Sequence, residues 1–90
     1  MPTCYAVCRY VQDGDTFLTT DKTWIRLARY SAPVEDTRDH AKAKQLLASL
    51  ILNENINFVP VGKSYNRVLA EVWKKGININ DFMIESGIKK

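Results

Sequence analysis

The dipeptide Asp13-Gly14 limits the fold of this chain more than any other feature, because it marks a tight turn between two extended segments. Residues 3–11 before it are rich in β-branched and aromatic side chains, and residues 16–20 after it continue the pattern. An Asp-Gly pair between two such segments is a strong signal for a β-hairpin. The chain is therefore expected to begin with two antiparallel strands, with Asp13 shaping the turn.

A third strand and a helix are predicted to follow. Residues 22–30, KTWIRLARY, alternate as a strand does, and Pro33 ends the segment because proline has no N–H to donate to a sheet. Asp36 or Thr37 is then placed to cap an amphipathic helix that ends near Asn53. The apolar residues at helical spacing are Ala43, Leu46, Leu47, Leu50 and Ile51.

Two more strands and a short helix are predicted for the C-terminal part. Residues 56–61 and 67–74 have the composition of strands, and residues 62–66 are expected to form the loop between them. Pro60 would place the first of these strands at an edge, or would itself lie at a strand end. The second helix is expected to begin at Asn78, to end at Gly87 and to bury Ile79, Phe82 and Met83. Five short strands and two helices in the order β-β-β-α-β-β-α predict a mainly β (α+β) protein, an OB-fold barrel.

Length and charge limit what this domain binds. Residues 1–90 form a single domain at most. The net charge is +3, and residues 61–90 hold six basic and three acidic side chains, which favours anionic partners. No apolar run approaches the ~20 residues that cross a bilayer, so no membrane partner is expected. The N-terminus has no apolar signal segment, which leaves open a cytoplasmic protein or a chain whose leader has been removed.

Cys4 and Cys8 are expected to be reduced, packed thiols. Four residues of one strand separate them by roughly 13 Å, which is too far for a disulfide. One cysteine pair with a single histidine, His40, also falls short of a zinc site. His40 itself is interpreted as a helix-surface residue.

Four segments of this chain resemble, in the same order, segments of the staphylococcal nuclease (thermonuclease) family. They are VQDGDTF at 11–17, IRLARYSAP at 25–33, SYNRVLAEV at 64–72 and GININDFMIESG at 76–87. The resemblance implies an OB-fold barrel and calcium-dependent hydrolysis of DNA and RNA phosphodiesters. Family members commonly continue into a further helix, about where this chain stops at Lys90, so the family's last helix is expected to be lacking.

The resemblance also assigns roles to individual side chains. Asp15 matches a calcium ligand, and Arg26 and Arg67 match two arginines that hold the phosphate at the catalytic centre. Tyr65 matches a tyrosine that lies against the bound nucleotide, and the neighbouring Lys63 is expected to contact nucleic acid too. Without the resemblance, Arg26 would be interpreted as a solvated or ion-paired strand residue.

The chain departs from the family pattern at two acidic positions. Ser31 stands where the second calcium carboxylate is expected, and Val34 stands where the family has the glutamate that serves as general base. Because calcium prefers six to eight oxygens, several of them anionic, Asp15 would hold it only weakly, with Ser31 as a further oxygen. A general base contributes ~10²–10⁴ to the rate. Glu35 would replace the base if the loop after Pro33 slips by one residue.

Three functions remain open at this point. The leading hypothesis is a nuclease-like domain that binds single-stranded DNA or RNA through Arg26 and Arg67, with little or no cleavage. The second is a working calcium-dependent nuclease that uses Asp15, both arginines and Glu35. The third is a protein-interaction module that binds a protein partner or a second copy of itself.

Overall fold

The fold is mainly β, with six strands and two helices in the order β-β-β-α-β-β-β-α. The computed structural model describes residues 3–35 and 37–89. Its elements are β1 (Cys4–Asp13), β2 (Thr16–Thr19), β3 (Trp24–Leu27), α1 (Arg38–Ile51), β4 (Asn55–Ser64), β5 (Arg67–Lys74), β6 (Ile77–Asn78) and α2 (Ile79–Glu85). Antiparallel neighbours form one sheet in the order β3-β2-β1-β4-β5-β6, and β3 also pairs with β5 in parallel. Neither helix of this described part is long and apolar enough to cross a membrane.

The core lies between the inner face of the sheet and α1. Phe17 and Ile25 face each other on β2 and β3, and both are fully buried. The stripe predicted for α1 packs against this face: Ala43, Leu47 and Ile51 are fully buried, and Leu46 and Leu50 are half-buried. The hydrophobic pattern of the sequence therefore identifies the buried side of the helix.

The helix boundaries follow the predicted capping residues. Thr37 and Asn78 each accept a hydrogen bond from the backbone N–H three residues on, at 3.2 Å and 2.7 Å. Asp36, the alternative cap, lies outside the described residues. Asn53 and Gly87 adopt φ of 62° and 78°, the left-handed conformation common just after a helix.

The prediction of five strands missed β6. Lys75 and Gly76 join β5 to β6, with φ of 50° and 82°. Positive φ at both central residues is what a two-residue type I′ turn requires. The signal in the sequence is weak, because lysine precedes the glycine where asparagine or aspartate is usual.

Residues 62–66 are not the predicted loop, because β4 continues to Ser64 and pairs there with Arg67 of β5. Glycine and lysine are poor strand formers, but the pairing resumes after a bulge that follows Pro60. Only Tyr65 and Asn66 are left for the turn. The prediction of an edge strand is wrong, because β4 lies between β1 and β5 in the sheet. Pro60 is accommodated because β1 pairs with β4 only over residues 55–58.

The prediction that Phe82 faces inward is wrong, since its side chain is 41% exposed. The residue that α2 buries instead is Asn80, which is fully buried. Its Oδ1 accepts a hydrogen bond from Val72 N, and its Nδ2 donates to the carbonyls of Ala28 and Ala70, at 2.8, 2.8 and 3.0 Å. Asn80 thereby joins the end of β3 to β5.

The third strand is shorter than predicted and ends at Leu27. Arg29 adopts φ of 65°, a left-handed conformation that turns the chain out of the sheet. Its Nε and Nη2 donate to the Glu71 carboxylate at 2.8 and 2.7 Å, and Nη2 lies 2.9 Å from Asp81 Oδ1. Hydrogen bonds from Arg29 hold the pKa of Glu71 below its usual value. These ion pairs fix the corner after β3.

Both cysteines are free thiols on β1, as predicted. Cys8 is fully buried, and burial raises the pKa of its thiol to about 11. Since the thiolate is the nucleophile and metal ligand, this thiol is unreactive at neutral pH.

Candidate functional site

The turn between β1 and β2 lies at the centre of the candidate site. Asp13 and Thr16 pair across the hairpin and leave Gly14 and Asp15 as the turn residues. Asp15 Oδ1 accepts a hydrogen bond from Thr16 Oγ1 at 2.9 Å, and Asp15 Oδ2 accepts one from Ala32 N at 3.1 Å. The carboxylate is thereby fixed to the loop that follows β3.

Gly14 allows this turn to touch α1. A Cβ atom at Gly14 would lie 2.5 Å from Ala43 Cβ and 3.1 Å from Ala32 Cβ. Carbon atoms in contact prefer ~3.5–4.0 Å, so a larger residue would push the turn and the helix apart. The glycine is needed here for close approach.

Arg26 reaches the turn from β3, where it pairs with Thr16 of β2. Its Nη2 lies 3.5 Å from Asp15 Oδ2 and donates to Ser31 Oγ at 3.3 Å, while its Nη1 donates to Leu27 O at 3.4 Å. These contacts lie near the outer limit for hydrogen bonds, and the side chain is 22% exposed. The guanidinium group is therefore held loosely at the surface.

Arg67 reaches the same turn from β5. Its Nη1 donates to Thr16 Oγ1 at 3.2 Å, and its Nε and Nη2 each lie 3.4 Å from an oxygen of Ser64. Thr16 in turn donates to Asp15. The structure thus brings together Asp15, Arg26 and Arg67, the three residues to which the resemblance assigns the site.

A shallow pocket of about 280 Å³ lies beside Arg67. Its lining consists of Lys63, Tyr65, Asn66, Arg67 and Val68. Tyr65 occupies the tip of the β4–β5 hairpin, is 93% exposed and adopts φ of 57°. Bulky residues rarely adopt this backbone conformation, which costs on the order of 1–3 kcal/mol and clusters at functional sites. Lys63 and Tyr65 therefore adjoin the arginine with which the sequence groups them.

Glu35 is not connected to the turn by any described contact. It is exposed, and its side chain forms no hydrogen bond or ion pair with residues 3–35 or 37–89. Val34 is 53% exposed and lines a separate small pocket with Pro33 and Thr37. A role for Glu35 as general base stays a prediction.

The oxygens around Asp15 do not fit a tightly held calcium ion. Calcium takes six to eight oxygen ligands, several of them anionic. Both carboxylate oxygens of Asp15 already accept hydrogen bonds, and the Arg26 cation lies between Asp15 and Ser31 Oγ. In residues 3–35 and 37–89, no group of three or more His, Cys, Asp or Glu side chains is arranged to hold a metal.

Asp13 is a partly buried carboxylate at the end of β1, next to the turn. Its Oδ1 is buried and has no hydrogen-bond partner within the described part of the chain. Burial and the charge of Asp15 raise the pKa of Asp13, although a hydrogen bond with Gln12 and the nearby His40 and Arg67 act in the opposite direction. The ionised form of Asp13 is therefore poorly compensated in the folded protein.

Tyr30 tethers the C-terminal segment to the loop that carries Ser31. Its hydroxyl donates to the carbonyl of Ile88. Burial, together with the charge of Asp15, raises the pKa of Tyr30 to about 12. A phenol that stays protonated and is already engaged as a donor does not act as a base at neutral pH.

Thr16 is a residue of the candidate site that the sequence does not indicate. It is 1% exposed and connects Arg67 to Asp15 through its hydroxyl. The only signal in the sequence is its position next to Phe17, which places it on the opposite face of β2 from the core. Strand alternation alone does not indicate that Arg67 donates a hydrogen bond to it.

A scan against protein-family models finds no matching family, and a search of the curated proteins finds no match either.

Proposed function

We propose that this chain is a staphylococcal nuclease-like OB-fold domain that binds single-stranded nucleic acid and has weak or absent phosphodiester hydrolysis. The strand pairings support the proposed fold. β1 pairs with β2, β2 with β3, β3 with β5, β5 with β4, and β4 with β1 again. Such a circuit of strands, with a helix between the third and fourth strands along the chain, supports the proposed OB barrel. The short β6 lies outside the circuit.

The proposed binding rests on a difference in contact length among Arg29, Arg26 and Arg67. Arg29 is held by short contacts of 2.7 and 2.8 Å to Glu71. Arg26 and Arg67 converge on one turn, yet their contacts are all between 3.2 and 3.5 Å. A guanidinium group has more N–H donors than these contacts use, and its planar fork suits phosphate oxygens. Arg26 and Arg67 are therefore free to exchange long internal contacts for shorter ones to a phosphate.

The pocket beside Arg67 supports a single-stranded ligand. Tyr65 exposes nearly all of its side chain at 93%, and the exposed Lys63 adds a positive charge to the same pocket. Stacking of a base on an aromatic ring contributes ~1–3 kcal/mol in single-strand binders. Unpaired bases offer free faces for such stacking, whereas bases inside a duplex do not.

Weak or absent hydrolysis follows from the groups around the phosphate site. Ser31 supplies a hydroxyl group without a charge, and its Oγ already accepts a hydrogen bond from Arg26. Val34 is apolar, and Glu35 makes no described contact with the turn. Calcium would bind weakly to Asp15, and no positioned base would activate a water molecule. The phosphodiester would be held without being efficiently cleaved.

Fluorescence anisotropy with labelled single-stranded DNA and RNA tests the proposal, in millimolar calcium and in chelator. Binding is expected in both conditions and should weaken as salt rises, since it depends on phosphate contacts. Arg26→Ala and Arg67→Ala should each weaken binding about 10-fold or more, because hydrogen bonds to charged groups contribute ~1.5–3 kcal/mol. Lys42→Ala on the exposed side of α1 is the control for loss of one positive charge.

The same samples, analysed on denaturing gels, separate the rival functions. Calcium-dependent digestion that Asp15→Ala abolishes would establish a working nuclease. Absence of both binding and digestion would leave the protein-interaction module.

A further inference from the structure

An aromatic row crosses the outer face of β1, β2 and β3. The strand register places Tyr10 opposite Leu18 and Leu18 opposite Trp24. The rings of Tyr10 and Trp24 meet edge to face across Leu18, with centroids 6.4 Å apart and planes at 83°. Tyr10 is 48% exposed, and Leu18 and Trp24 are half-buried. This row of three residues lies on the surface of the sheet, outside the core.

The aromatic row continues directly into the arginine site. Side chains two residues apart on a strand share a face, so Trp24 and Arg26 lie on the same side of β3, about 7 Å apart along the strand. Ile25 between them is fully buried and marks the opposite, inner face. A single strand whose phosphate contacts Arg26 would therefore meet Trp24 and Tyr10 with a neighbouring nucleotide.

Basic residues flank the aromatic row along the chain. Arg9 precedes Tyr10 and Lys22 lies two residues before Trp24, and both are exposed. Neither forms an ion pair within residues 3–35 and 37–89. The acidic neighbour, Asp21, accepts a hydrogen bond from the hydroxyl of Thr19 and keeps its negative charge, so Arg9, Lys22 and Asp21 together carry one net positive charge. The charge balance of this surface favours an anionic ligand.

We propose that Tyr10 and Trp24 form a second base-stacking subsite for single-stranded nucleic acid, one step along the sheet from Arg26. The inference rests on the proposed function, because it extends the same binding track. In an edge-to-face pair, the ring that contributes its edge keeps both of its faces free of its partner, so a base can stack there. Cations beside the exposed ring of Tyr10 and the half-buried ring of Trp24 combine the two features by which single-strand binders hold bases and backbone. An apolar protein partner would offer no negative charge to pair with Arg9 and Lys22.

Fluorescence of Trp24 tests the subsite directly. Trp24 and Trp73 are the two tryptophans of the chain, so a Trp73→Phe background makes emission specific to Trp24. Titration with an oligothymidylate of about eight nucleotides, within the range that one OB fold covers, should quench this emission. Tyr10→Leu should weaken oligothymidylate binding at least about 5-fold and leave thymidine 5′-monophosphate binding at the arginines unchanged. Tyr5→Leu removes another exposed tyrosine of β1 and should change neither affinity.

The outcomes separate this inference from the function on which it rests. If the unmodified protein binds neither ligand, the proposed function fails and the subsite fails with it. If Arg26→Ala abolishes oligothymidylate binding while Tyr10→Leu has no effect and Trp24 emission stays constant, the subsite alone is overturned. Trp24 emission that changes with protein concentration in the absence of ligand would also overturn it, by assigning the row to self-association.

Discussion

Arg26 Nη2 and Asp15 Oδ2 lie 3.5 Å apart, so the cation proposed to hold a phosphate is paired with an anion in the unliganded protein. The same Asp15 oxygen accepts the N–H of Ala32 at 3.1 Å and fixes the loop after β3. Asp15 therefore does two opposing things. It positions Arg26, and it neutralises part of the charge that a phosphate would meet.

Replacing Asp15 with asparagine should strengthen the binding of single-stranded DNA by about 2- to 5-fold. The change removes a negative charge beside Arg26 and keeps an oxygen that can still accept from Ala32, and pairs of this kind contribute ~0–1 kcal/mol. Anisotropy titrations in chelator measure the effect, with Glu85→Gln on exposed α2 as the matched charge control. A loss of binding in D15N, together with calcium-dependent binding in the unmodified protein, would instead assign Asp15 to a metal site.

Introducing acidic residues at Ser31 and Val34 should convert the proposed binding into cleavage. Both positions are exposed, so Ser31→Asp combined with Val34→Glu leaves the core intact. A second carboxylate for calcium and a general base should raise calcium-dependent digestion of denatured DNA at least about 100-fold. Release of acid-soluble nucleotides gives the rate, and the same double variant with Arg67→Ala should lose the gain. A folded double variant without activity would argue against the family resemblance.

The sequence predicts the elements of the fold better than their junctions. The strand Arg67–Lys74 and the cap at Asn78 agree with the structure, because periodicity and capping are local properties. The turn at Lys75 and the positive φ of Tyr65 do not follow from the sequence, since neither residue is typical of such a conformation. Tertiary pairing of the strands overrides these local preferences.

The candidate site shows the same limit at longer range. Arg67 and Thr16 are 51 residues apart in the chain and meet only because β3 pairs with β5. No spacing rule predicts that contact. The resemblance identifies Arg67 and Asp15 but not the Thr16 hydroxyl that links them. The side-chain amide of Asn80 joins the end of β3 to β5. Hydrophobic periodicity does not predict its burial either, because asparagine is polar.

Gly14→Ala should destabilise the protein much more than Gly62→Ala. The new methyl group at Gly14 would lie 2.5 Å from Ala43 Cβ, and overpacking of this kind costs ~1–3 kcal/mol. At Gly62 the nearest atom is Leu69 Cδ2 at 3.8 Å, an ordinary contact, so the same substitution should be nearly neutral. Urea denaturation of the two variants compares their free energies of unfolding. Equal effects would mean that the turn and α1 are not in close contact.

Asp13→Asn should stabilise the folded protein at neutral pH, and the gain should disappear on acidification. Burial raises the pKa of Asp13 above its ordinary value of 3.8. The Asp13 carboxyl group therefore binds its proton more tightly in the native state than in the unfolded chain. The unmodified protein therefore loses stability as pH rises through the interval above 3.8, whereas the asparagine variant does not.

Asp21→Asn supplies a control of opposite sign, because hydrogen bonds from Thr19 and Thr23 lower the pKa of Asp21. Its stabilising contribution is present above 3.8 and is lost as pH falls through the lowered pKa, so D21N should be less stable at neutral pH and approach the unmodified protein in acid. Urea denaturation across this pH range measures both differences, and a D13N variant less stable than the unmodified protein at neutral pH would show that the Asp13 carboxylate is well compensated.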